Sequence, residues 1–65
     1  SMRTDGLTVF EYMDDFDNQE LDQFEWRDQM LSAVLQYNKE YGTEHDPAYT
    51  LKRYCYQVLK KDSDV

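Results

Sequence analysis

Apolar residues recur along this chain in three blocks separated by polar breaks. In the first, Val9, Phe10, Met13 and Phe16 follow one another at spacings of one, three and three, which places them on one face of a helix. Thr8 precedes them, and Glu11 stands three residues later. That pair is the signature of a capping box, in which hydroxyl and carboxylate each satisfy a backbone N–H at the helix start. A short helix over about 8–16 is predicted. The stretch from Leu7 to Tyr12 is also rich in β-formers, but a lone strand would find no partner unless two chains paired. Asp14-Asp15-Phe16-Asp17-Asn18 breaks the pattern.

The second block is longer. Asp17 with Glu20 gives another capping signal, and a helix is expected over about 19–41. Leu21, Phe24, Met30, Leu31, Val34 and Leu35 supply its apolar positions, and Trp26, Ala33, Tyr37 and Tyr41 form an adjacent stripe with Met30. This arc is too wide for packing against one neighbour, so contact on two sides is expected, from the other segments or from a second chain. Gly42 suits the left-handed residue that ends a helix. Asp46-Pro47 then opens the third block, Asp as N-cap and Pro at the first helical position, where its missing N–H is not needed. Ala48, Leu51, Cys55 and Val58 continue at three, four and three, giving a helix over about 47–60 closed by Lys60 and Lys61. The connection is short, so the second and third helices should pack antiparallel. The expected fold is all-α: a helical hairpin with a shorter N-terminal helix across it. Residues 8–61 would form one domain, between a flexible 1–7 and a frayed 62–65. Ser1-Met2 reads as a cleavage scar ahead of a native methionine.

Size narrows the chemistry. A chain of 65 residues makes one domain at most, and a domain this small buries only about 60% of its unfolded surface, leaving little room for a deep pocket. Small domains often add disulfides, a metal or a second subunit. Cys55 is the only cysteine, so an internal disulfide is excluded. One His and one Cys support a metal poorly, and no cofactor is expected. Self-association as a homodimer stays open. There is no apolar run near the roughly 18 residues of a membrane span and no signal-peptide pattern, and a lone cysteine suits a reducing compartment. A cytoplasmic location is the expectation.

Charge changes the picture most. Residues 1–28 hold nine of the fourteen acids (Asp5, Glu11, Asp14, Asp15, Asp17, Glu20, Asp22, Glu25 and Asp28) against Arg3 and Arg27, and so carry the whole net charge of −7. Aromatic side chains run through the same half. A segregated field of one sign points to a cationic surface on another macromolecule and away from direct contact with nucleic acid. Carboxylates one helical turn apart lie about 6 Å from each other, close to the step between neighbouring phosphates of a nucleic-acid strand. A basic groove built for DNA would accept such a row. Acids near helix starts are also ordinary dipole partners, which accounts well for Asp17, Glu20 and Asp22 but not for a whole half of one sign.

The candidate partner-binding residues are therefore Glu11, Asp14, Asp15, Asp17, Asp22, Glu25 and Asp28, with Trp26, Tyr12 and Tyr37 as aromatic anchors. Trp26, flanked by Glu25 and Asp28 and off the Leu21–Phe24–Leu31–Leu35 face, is the first choice among them. Other features are weaker. Residues 15–26 fail as a calcium loop, with Glu20 where a glycine is needed and Trp26 where the bidentate Glu should be. His45-Asp46 resembles a base and its orienter, but Asp46 is more simply an N-cap. Cys55 lies on an apolar face and reads as a small buried hydrophobe. Lys52, Arg53, Lys60 and Lys61 are expected to pair with the acidic half, in the same chain or across a dimer. The sequence predicts a non-enzymatic inhibitor or regulator of a basic, nucleic-acid-binding protein, similar in size and charge to DNA mimics and small phage host-takeover proteins. The alternative is a structural subunit or excised interaction domain that docks through an apolar helix face.

Overall fold

A computed structural model describes residues 8–59. Expectations for 1–7, for Lys60 and Lys61 and for 62–65 lie outside the described residues. Within them, all regular structure is helical: α1 (Val9–Asp14), α2 (Gln23–Tyr41) and α3 (Pro47–Tyr54), which runs on as a π-helical turn, Cys55–Leu59. The β alternative for residues 7–12 is not adopted over Thr8–Tyr12.

The caps explain the boundaries. Thr8 and Glu11 form the reciprocal box at α1, with Thr8 N–H donating to Glu11 Oε1 at 2.8 Å and Glu11 N–H to Thr8 Oγ1 at 3.1 Å. Asp46 accepts from Tyr49 N–H at 2.8 Å, with Pro47 first in α3. Gly42 ends α2 at φ 68°, a left-handed geometry that glycine adopts without a steric cost. The start of α2 corrects the sequence expectation. Asp22 caps it, not Asp17, through a second reciprocal box in which Glu25 N–H donates to Asp22 Oδ1 at 2.8 Å. Residues 18–21 form turns instead: Asn18 accepts Glu20 N–H on its side chain and Leu21 N–H on its carbonyl.

α2 and α3 are antiparallel. Asn38, near the end of α2, holds the connection to α3, while Trp26 and Arg27, near its start, line a hollow with Cys55 beyond the end of α3. α1 packs on α2 and reaches α3 through Phe10, whose ring meets that of Tyr54 edge-on at 5.9 Å. The core is Val9 and Met13 from α1, Met30, Ala33, Val34 and Tyr37 from α2, and Leu51 and Tyr54 from α3. Two faces thus differ from those the pattern favoured. On α2 the Met30–Ala33–Val34–Tyr37 side is buried, whereas Phe24 is 85% exposed and Leu35 56% exposed. On α3 the buried side chains are Thr50, Leu51 and Tyr54, with Ala48 exposed and Cys55 and Val58 half-buried.

Candidate functional site

The acidic half occupies α1, the turn after it and the first two turns of α2. Glu11, Asp14, Asp15, Glu20, Asp22, Glu25 and Asp28 are exposed and Asp17 is half-buried. Several of these carboxylates also hold the fold together. Glu11, Asp22 and Glu25 belong to the capping boxes. Asp14 accepts the Tyr54 phenol hydrogen at 2.5 Å, tying the end of α1 to the end of α3. Asp17 accepts the Trp26 indole N–H at 2.7 Å, fixing the turn against α2. In each case the donor is neutral, a backbone amide, a phenol or an indole, so the bond brings no positive charge to the carboxylate. Asp15, Glu20 and Asp28 are exposed acids outside both capping boxes and both aromatic–carboxylate bonds.

The aromatic candidates are placed differently from one another. Tyr37 is 8% exposed, a core residue that offers a partner little surface. Trp26 is half-buried against the core, its polar edge committed to Asp17. Tyr12 is half-buried in a ring cluster, 5.2 Å from Phe16, 5.5 Å from Tyr37 and 6.3 Å from Tyr41 between centroids, which stitches α1 to the C-terminal half of α2. Burial, then the nearby Glu40 carboxylate, raises the Tyr12 phenol above its ordinary pKa. Tyr54 is 1% exposed, and burial followed by its bond to Asp14 pushes its phenol well up. Sequence reasoning missed this residue. Its signal is helical spacing, three residues after Leu51 and four before Val58, in competition with the Ala48–Leu51–Cys55–Val58 set.

The remaining features are structural. Asn38 was not foreseen either. Its amide donates to the His45 carbonyl at 2.9 Å and its oxygen accepts His45 N–H at 2.9 Å and the Thr43 hydroxyl at 2.8 Å, closing the connection between α2 and α3. Asp46 caps α3, and the His45 ring lies beside Tyr37 at 5.6 Å. Cys55 is half-buried, and burial pushes its thiol up, with Arg27 opposing. Among the described residues Lys52 and Arg53 form no ion pair with the acidic half of their own chain, contrary to the first of the two expectations. Arg53 instead lies over the Tyr49 ring, 5.9 Å from its centroid, with the Gln57 amide beside it. No group of three or more His, Cys, Asp or Glu side chains among the described residues is placed to hold a metal ion. No described helix is long and apolar enough to cross a membrane. The chain matches no known protein family, no curated protein and no solved structure.

Proposed function

We propose that this protein is a small, non-enzymatic, cytoplasmic binding protein that inhibits or regulates a basic, nucleic-acid-binding protein through its acidic N-terminal half. One observation carries the reading. The carboxylates of Glu11, Asp14, Asp17, Asp22 and Glu25 are each held by a neutral donor, so these bonds position them without bringing a positive charge. A positioned array of one sign steers a cationic partner and loses that pull as salt rises. Such an array fits the row of positive charge in a groove made for a phosphate backbone. A second reading, docking through an apolar helix face, is supported by the exposure of Phe24 and Leu35 on α2.

The test is capture from cell lysate at low salt with elution at high salt, run in parallel with a triple charge reversal. Asp15→Lys, Glu20→Lys and Asp28→Lys are the right substitutions, because all three residues are exposed and lie outside the capping boxes and aromatic bonds. We expect a basic nucleic-acid-handling protein on the wild type and its loss on the variant, with unchanged far-ultraviolet circular dichroism. Retention by the variant, or a captured protein that resists salt, refutes the charge-led mechanism.

A further inference from the structure

α2 has a second apolar side, exposed among the described residues. At about 100° per residue, Phe24, Leu31 and Leu35 fall within about 40° of one another, on the side of the helix away from Ala33, Met30 and Tyr37. Phe24 and Leu35 are exposed, and Leu31 between them is half-buried where the stripe meets the core. The three span ~16 Å of helix. The wide apolar arc read from the sequence is therefore two faces. α1 and α3 share one of them, leaving the other open.

We infer that this outer stripe of α2 is a docking face for a cationic amphipathic helix. The sign of the partner's charge rests on the functional reading above, and its helical, amphipathic character comes from the stripe. Three apolar side chains in a straight line along a helix match the apolar ridge of a second helix better than they match a cleft-bound loop. Asp28 supplies the acid within the stripe, and Lys39, four residues after Leu35, flanks only its far end. Asp28 lies four residues after Phe24 and three before Leu31, in the seam itself, and Glu25 lies beside it on the exposed side. A lysine or arginine flanking the partner's ridge would pair with Asp28 as Phe24 is covered.

A second copy of this chain fits less well. Parallel pairing sets Asp28 against Asp28. Antiparallel pairing with Phe24 on Leu35 sets Asp28 against Leu31, a carboxylate desolvated without a cation. Arg27 cannot help, since it lines the hollow with Ala48, Leu51 and Cys55 on the α3 side. Sliding the pair until Asp28 meets Lys39 carries Phe24 to the level of Thr43, off the end of α2. Each copy also brings a net charge of −7.

Calorimetric titration with defined peptides tests this. The probe is a Leu/Lys amphipathic peptide of about four helical turns, compared with a Gly/Lys peptide of equal charge. We expect the Leu/Lys peptide to bind the wild type more tightly than the Gly/Lys peptide does. The double variant Phe24→Ser, Leu35→Ser should weaken that binding at least about tenfold, and Asp28→Asn should weaken it several-fold. Gln29→Ser, an exposed position off the stripe, should leave it unchanged. Both stripe residues are exposed, so the fold should tolerate their loss, checked by circular dichroism. Equal binding of the two peptides, or an unaffected double variant, overturns the docking face while leaving the charge-led function standing. Failure of both cationic peptides to bind overturns both. A dimer in sedimentation equilibrium that the double variant dissociates overturns the inference in favour of self-association.

Discussion

Tyr54→Phe is the most informative single change. It keeps the buried ring and removes only the hydroxyl that joins α3 to Asp14, 40 residues earlier in the chain. A hydrogen bond to a charged acceptor contributes about 1.5–3 kcal/mol. Asp14 is exposed and regains water once released, which places the loss in the lower part of that range, about 1.5–2 kcal/mol. A domain of this length has about 3–10 kcal/mol in total, so the change is a large share. The same bond predicts a pH signature. Burial and Asp14 hold the folded-state pKa of the Tyr54 phenol above its ordinary 10.0. The unfolded chain therefore gives up this proton first. The contribution is fully present below pH 10 and declines as the pH rises beyond it. The variant lacks the group, so its deficit relative to wild type should shrink between pH 10 and pH 11. Tyr12, also raised, is common to both proteins and cancels in the difference. Urea unfolding followed by circular dichroism at pH 7, 8, 10 and 11 measures this directly. A deficit below about 0.5 kcal/mol at pH 7, or one that stays constant from pH 8 to pH 11, refutes the reasoning.

Two further outcomes follow from the same geometry. Asn38→Ala should destabilise the fold by about 2–3 kcal/mol, because it removes three hydrogen bonds of the α2–α3 connection at once; thermal unfolding reads this, and Asn38→Asp should recover only the accepting bonds. Trp26→Phe keeps the half-buried ring position but loses the bond to Asp17. It should cost about 1–2 kcal/mol and speed amide hydrogen exchange in the 15–21 turn, whereas an unchanged exchange rate there would show that Asp17 does not fix the turn.

How far the sequence could be read depended on whether the signal was local. The caps were legible because their partners lie within three residues: Thr8 with Glu11, Asp46 ahead of Pro47, Gly42 after Tyr41. The start of α2 was ambiguous because the chain holds two acid-x-x-Glu signals five residues apart, at Asp17 and at Asp22. The choice between them is tertiary: Trp26 takes Asp17, and Asn18 turns the backbone. Face selection was also tertiary. Phe24, Leu31 and Leu35 are as apolar as the buried set, and only the placement of α1 and α3 on the Met30–Ala33–Val34–Tyr37 side decides which stripe becomes core. Tyr54 and Asn38 were invisible for the same reason, since their partners are set by the fold and carry no spacing rule. The π-helical turn after Tyr54 had no sequence signal either. For the candidate site, the acidic segregation was plain from composition, but its division into acids that brace the fold and acids that do not emerged only from the hydrogen bonds.

The bond between Asp14 and Tyr54 also bears on when the acidic surface comes into being. α1 has six residues, far too few to persist as an isolated helix. Its apolar side chains, Val9 and Met13, share a core with Met30, Ala33, Val34 and Tyr37 of α2 and with Leu51 and Tyr54 of α3. During synthesis the N-terminal half is made first and α2 offers α1 a face to pack on, but the bond from Tyr54 to Asp14 closes only once α3 has left the ribosome. An unfinished chain would display the full negative charge as a loose polyanion. The spatial pattern, and with it any discrimination between one basic partner and another, is complete only when α3 adds the bond from Tyr54 to Asp14.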